Sequence, residues 1–442
     1  MAVILGLFLS ALYFLFAFSG RRNVFSPVVI YNLYAWLRNV PHFMQVYDDY
    51  DEGLCFKYFI IKVISCLCIN MGMLFYERFF SKKYTYVYSD ERTMHQNRQH
   101  LYYYAGLILL FFGVVIRIYI IVKSGGLIYL LSNLQSRRTL LSGTGYASTI
   151  SGICINCAVI LIEYHYFKNK SAKNGIVFWF SFVIAVLFLI VFGARKPALM
   201  LAMKVIICYH FVERKIKFSD LIKPRAIIAF VAVIMFMVMI PMLRYRSTAT
   251  AFLNPLEWIR MGAERIGSIF EEFSYLSGDM YVFRFFNYKN YWLGKNYLSI
   301  PVQWIPSSIF KNKPPMDDGM YLFNMMNGVD VNPLASTVSL PYQTSVPFTT
   351  EGILYMNFGY LGLIFITPFI GAVYQYAYKV MKDTGYCIFM IVSYQVIVFE
   401  FVPSVLHMTS PLISVLFTWI ILYFTLRFRI RRKANKTVKI TA

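Results

Sequence analysis

The stretch FWFSFVIAVLFLIVFGARKPALMLAMKVIICYHFV, residues 178–212, decides what kind of protein this chain is. Two apolar runs, 178–193 and 198–212, flank a short turn that carries an arginine, a lysine and a proline. A helix needs about 20 apolar residues to cross the ~30 Å core of a bilayer, and runs approaching that length recur along the whole chain. Of 442 residues, 58% are hydrophobic and only 14% are charged. The chain reads as a polytopic membrane protein. Backbone groups in lipid must satisfy one another, and no alternating barrel pattern is present, so the fold class is all-α.

We place about 11 transmembrane helices (10–12) at 2–19, 25–46, 54–77, 101–122, 148–167, 175–193, 197–212, 226–243, 352–378, 386–402 and 409–426. The first run, AVILGLFLSALYFLFAFSG, lacks a basic leader and is followed by further spans, so it reads as a retained helix. Basic residues in short loops set orientation. With the N-terminus outside, the inner segments hold 24 lysines and arginines and the short outer ones five. The net charge of +22 is therefore mostly a topological signal, with a contribution from headgroup contact, and not a nucleic-acid footprint. Four regions follow: helices 1–8 in 1–243, a long outer loop at 244–351, helices 9–11 in 352–426, and a basic inner tail at 427–442.

All seven cysteines lie in or beside apolar runs, and the long loop has none. No disulfide framework is implied. Cys66-x-Cys68 and Cys154-x-x-Cys157 fall inside spans without matching histidines, so they read as small packing residues, not metal ligands. The long loop is too polar for the membrane and too aromatic for disorder, so it should be ordered and partly helical. Asn254, Pro255 and Glu257 read as N-cap, N1 and N3 of an amphipathic helix that continues through Ile259, Ile266, Phe270 and Phe273 to Leu276. Residues 290–319, NYWLGKNYLSIPVQWIPSSIFKNKPPMDDG, read as a structured loop with short helical turns.

The turn of the opening stretch now has a place. Arg195 and Lys196 lie at the outer face, against the positive-inside trend, and Pro197 is suited to begin the next helix, whose free N–H groups and positive dipole end face the same spot. Arg38, Lys57 and Arg117 lie in the outer halves of other spans, Lys62 nearer the middle, and Arg244 and Arg246 leave span eight at the same level. Charges within spans are expensive and mark functional candidates, although Arg117 and Lys57 could simply snorkel to the headgroups. A diphosphate carried on a lipid fits such a cluster. The loop aromatics Tyr275, Tyr281, Phe285, Phe286, Tyr288, Tyr291, Trp292 and Trp304 offer flat faces for sugar rings, or act as interfacial anchors.

The plan of about a dozen spans with one long outer loop late in the chain resembles the O-antigen polymerase (Wzy) group of oligosaccharide repeat-unit polymerases. Local features add to the resemblance: GARKPALM at the outer start of a span, the exit LRYRS, the segment SIPVQWIPSSIFKNKPP, and TTEGILYMNFGYLG leading into span nine. No arginine has a glycine eleven positions later, so the arginine-to-glycine spacing described for loops of some members is absent. The resemblance implies a bacterial inner-membrane glycosyltransferase that polymerises undecaprenyl-diphosphate-linked repeat units at the periplasmic face, without metal or cofactor and with a chain-length co-polymerase (Wzz) as partner. Arg195, Lys196, Arg244, Arg246, Arg38 and Arg117 are the candidate diphosphate ligands. Glu351 is the first candidate for the catalytic base and His407 the second, with Glu400 and Asp279 behind them. Glu351 has an alternative role, an acid at a helix N-terminus with Thr349 or Thr350 as cap. Two other functions suit the same plan: a flippase for lipid-linked oligosaccharide, and an O-antigen ligase.

Overall fold

The computed structural model describes residues 1–20, 23–80, 86–88, 91–133, 140–141, 143–194, 196–229, 231–233, 270–271, 274–305, 309–426 and 430–432. In chain order the helices are α1 Ala2–Phe18, α2 Pro27–Asn39, α3 Pro41–Gln45, α4 Glu52–Phe79, α5 Glu91–Lys123, α6 Leu127–Ser132, α7 Gly145–Lys168, α8 Ala172–Ile190, α9 Lys196–Val212, α10 Phe218–Leu221, α11 Leu276–Phe285, α12 Ile300–Gln303, α13 Asp318–Met326, α14 Thr350–Asp383, α15 Ile388–Glu400 and α16 Val405–Leu426. The fold is all-helical as expected, apart from a three-residue antiparallel ladder of Tyr86–Tyr88 (β1) with Ile430–Arg432 (β2). Among the described residues five helices are long and apolar enough to cross a membrane: Glu52–Phe79, Leu101–Lys123, Gly145–Lys168, Ala172–Ile190 and Thr350–Asp383. The run read as one span over 25–46 is instead two helices, because Pro41 cannot continue α2 and starts α3. Its first piece has 13 residues, about 20 Å at 1.5 Å per residue, less than a bilayer core. Of span 226–243 only 226–229 and 231–233 are among the described residues, and of the helix expected over 254–276 only 270–271 and 274–276.

The chain divides into two compact units. The first comprises Met1–Lys82, Ser268–Lys379 and Tyr394–Ile413. In it α4 and α14 run in the same direction, in contact near both ends. Lys62 of α4 meets Glu351 at the start of α14, and Lys379 Nζ donates to the Phe80 carbonyl at the other end, at 2.9 Å. Between these points the backbones touch: a Cβ on Gly72 would lie 1.9 Å from the Pro368 carbonyl oxygen, and one on Gly371 2.1 Å from that of Ile69. Small residues are what such close approach of spanning helices requires.

Helix α14 is kinked at Gly359, whose φ of 59° and ψ of −146° are open to glycine but strained for other residues. The kink frees the carbonyls of Met356 and Asn357 from their helical partners. The loop takes them up: Trp292 N donates to Met356 O at 3.1 Å and Leu293 N to Asn357 O at 3.0 Å. Phe286, Trp292 and Tyr321 then stack edge to face in a buried core with Phe283 and Tyr355. Phe286 and Trp292, counted among the candidate sugar platforms, are therefore core residues. Tyr288, at 81% exposure, is open.

The second unit comprises Lys83–Gly267, Val380–Ser393 and Ser414–Ala442. Its centre is the antiparallel pair α5 and α7. Gly106 packs on Ala158 and Ile162, and seven residues on Gly113 packs on Ser151 and Ile155. Ser151 Oγ donates to the Gly113 carbonyl at 2.7 Å, which fixes the register. On α8 the side chains of Ile176, Phe180, Val183 and Leu187 are exposed, as a lipid-facing stripe would be.

Candidate functional site

A buried ionic cluster forms in the first unit where the long loop meets the spans. Its floor is α4, whose buried face repeats at helical spacing through Tyr58, Ile61, Lys62, Ser65, Cys66, Ile69 and Met73. Lys62 stands ten residues from the start of this helix, about 15 Å along its axis. Its ammonium has three protons and three acceptors: Asp279 Oδ2 at 2.7 Å, Thr349 Oγ1 at 2.9 Å and Glu351 Oε2 at 3.2 Å. It is saturated, and both it and its two acidic partners are fully buried.

The two carboxylates come from separate parts of the long loop, Asp279 about a third of the way along it and Glu351 at its end. Asp279 sits in the first turn of α11, and both Thr349 N (2.8 Å) and Thr349 Oγ1 (2.9 Å) bond its Oδ1. Thr349 is also the cap of α14, since its Oγ1 accepts from Gly352 N at 3.3 Å. Gly352 lets this happen, because a Cβ there would lie 2.7 Å from Asp279 Oδ1. Glu351 follows in the first turn of α14, where the dipole favours an acid. Ser65 Oγ donates to its Oε1 at 3.1 Å, and Arg38 Nη2 approaches its Oε2 at 3.5 Å.

Arg38 differs from Lys62 in what it leaves unused. It occupies the last turn of α2, a favourable place for a cation, with its guanidinium between the rings of Tyr34 (5.5 Å) and Tyr275 (5.9 Å). It is 7% exposed, yet Nε has no hydrogen-bond partner and its contact with Glu351 is longer than a hydrogen bond. Two cations and two carboxylates balance, so the cluster carries no net charge. Its spare capacity is the donor fork of Arg38. Further toward the start of α4, Lys57 donates to the Phe283 carbonyl and lies 4.8 Å from the ring of Tyr355.

The remaining predicted residues are distributed differently. Arg117 belongs to the second unit, where Nη1 donates to Ser148 Oγ at 3.2 Å and the guanidinium stacks on Phe192 at 4.7 Å, three residues before Arg195. Lys196 is the exposed first residue of α9. Arg195, Arg244 and Arg246 lie outside the described residues. His407 is the third residue of α16, and Glu400 is the last residue of α15. The structure thus brings together Arg38, Lys62, Asp279, Thr349 and Glu351. Sequence reasoning had named all five but had not joined them, and Ser65 had no signal beyond its place on a buried helical face. All seven cysteines are free thiols, Cys66 and Cys154 among the buried ones.

A family model described as "Putative O-antigen polymerase" matches residues 20–281, more than half of the chain. The matched stretch contains Arg38, Lys62 and Asp279 and ends before Thr349 and Glu351. No curated protein and no solved structure matches the chain.

Proposed function

The chain belongs to the O-antigen polymerase family, and from that premise we propose that it joins lipid-linked repeat units at the periplasmic face of the inner membrane, with undecaprenyl diphosphate as the leaving group. Membership makes it a membrane protein of lipopolysaccharide biosynthesis with an O-antigen-polymerase type of function acting on lipid-linked oligosaccharide. The reaction, the leaving group, the eleven-span topology and the co-polymerase partner are our reading. The observation that carries it is the cluster. Two distant parts of the long loop, at Asp279 and Glu351, close on Lys62 within a spanning helix, and an arginine with unspent donors stands at the edge.

In the proposed step a hydroxyl of the incoming unit attacks the anomeric carbon of the donor sugar as the bond to the diphosphate breaks. Negative charge grows on the leaving oxygen, and a guanidinium fork can take it up through two parallel bonds. Arg38 is suited to this, and Arg195 with Arg117, on the turn of the second unit, is the other candidate set. Glu351 is held between Lys62, Arg38 and Ser65, with both oxygens engaged. Such a carboxylate is a weak proton acceptor and a good tether, so we assign it to positioning Arg38 and assign the base to His407. Two features support the topology. The parallel course of α4 and α14 puts the starts of both on one side, and the β1–β2 ladder joins the 78–100 segment to the tail, both read as inner.

The test is a deletion strain examined by lipopolysaccharide gel. A polymerase leaves core plus one unit, a flippase removes all repeats, and a ligase leaves bare core while lipid-linked polymer accumulates. Complementation with Arg38→Ala or Arg195→Ala should give no ladder at normal protein abundance. Lys at either position should remain impaired, because a point charge cannot reproduce the fork. A full ladder from both Lys variants would reduce the arginines to a general electrostatic role.

A further inference from the structure

We propose that Asp318 and Tyr297, in the long loop, are positioning residues that hold the start of α16, and with it His407, in place for the reaction. The proposal rests on the assignment of His407 as base. Asp318 begins α13, but its carboxylate is not spent on that helix. The cap there is Asp317, which accepts from Gly319 N at 3.0 Å. Asp318 reaches across the fold instead. Oδ1 accepts from Asn296 Nδ2 at 3.1 Å, and Oδ2 accepts from the backbone N–H of Val405, 87 residues away, at 3.1 Å.

Val405 is the first residue of α16, so this N–H is one of the four that a helix start leaves without an internal partner. The neighbouring residue Tyr297 grips the same segment, its hydroxyl donating to the Pro403 carbonyl at 2.6 Å. The main chain of Asn296 is itself held, with its backbone carbonyl accepting from Ser299 Oγ at 2.7 Å. The loop thus fastens both sides of the turn into α16, two residues ahead of His407.

The choice of residue at 318 is informative. Asp318 is 2% exposed, and burial, with Asp317 nearby, pushes its carboxyl up to about 6, although Asn296 and Val405 offset part of that. The groups coupled to it are Asp317 on its own helix and the phenols of Tyr297 and Tyr321, which burial and Asp318 hold above the usual tyrosine range. An asparagine would meet the Val405 N–H without burying a charge. The positive end of the helix dipole offsets part of the cost of burying this carboxylate, and a buried acid kept at that cost where an amide would serve is the pattern of a functional constraint and not of packing.

Initial polymerisation rates in membranes test this, with lipid-linked repeat units extracted from the deletion strain as the titrated substrate and protein level measured alongside. Asp318→Asn should lower kcat about tenfold or more per folded molecule and leave KM within about twofold, and Tyr297→Phe should act in the same direction. Asp318→Glu, which keeps the charge, should recover part of the loss. His407→Gln is run in parallel. If it is inactive while Asp318→Asn keeps its kcat, or raises KM alone, the positioning role is overturned and the function stands. If His407→Gln keeps full turnover, the base assignment falls and this proposal with it.

Discussion

Lys62→Met removes the ammonium that joins Asp279 and Glu351, two distant parts of the long loop, to α4. The side chain keeps its length, so the change is in charge and in hydrogen bonds. Asp279 retains the N–H and hydroxyl of Thr349, and Glu351 retains Ser65 and Arg38. Asp279 is left without a cation and Glu351 keeps only Arg38 at 3.5 Å, so the cluster passes from balanced to one excess negative charge in a buried site. Breaking a buried ion pair by removing one partner costs about 3–5 kcal/mol. At 1.4 kcal/mol per factor of ten, this is on the order of 100- to several-thousand-fold in the folded-to-unfolded ratio. Thermal melting of the detergent-purified chain should therefore show a large drop, and membrane abundance should fall with it. The double variant Lys62→Met/Asp279→Asn restores the balance and should regain a substantial part of the loss, a coupling that a double-mutant cycle measures. A melting temperature unchanged in Lys62→Met, or equal losses in single and double variants, would refute the view that charge balance holds this junction.

Three further outcomes are expected. Gly371→Val forces a side chain into the Ile69 carbonyl and should cost about 1–3 kcal/mol or more by overpacking, read as lower abundance and melting temperature; an unaffected variant would exclude the backbone contact of α4 and α14. Glu351→Gln at normal abundance should shorten the ladder by less than the ~100- to 10,000-fold rate loss that removal of a general base brings, and a loss within that range would return Glu351 to the role of base. Asp318 has a raised carboxyl, so its stabilising contribution is complete below its ordinary value near pH 4 and is lost as pH rises through about 6. Wild-type protein should therefore lose melting temperature relative to Asp318→Asn between pH 4 and pH 6, and a pH-independent difference would contradict the burial of an ionisable group there.

Hydropathy alone determined that this chain is helical and lives in a membrane, because spans in lipid have no other economical way to satisfy their backbone. The TTEGILY segment marked a helix start: Thr349 caps α14 and Glu351 sits in its first turn. Local chemistry of that kind is written within a few residues. What tertiary structure decided is which distant charges meet. Lys62, a single lysine near the middle of a span, read as one basic residue among several, yet its partners lie 217 and 289 residues further on. Nothing in hydropathy encodes that pairing, since it depends on Gly72 and Gly371 letting α4 and α14 close to backbone contact. Asp318 was invisible for the same reason. Its partner is a backbone N–H at the start of α16, a group every residue but proline carries, so no side-chain pattern could announce it.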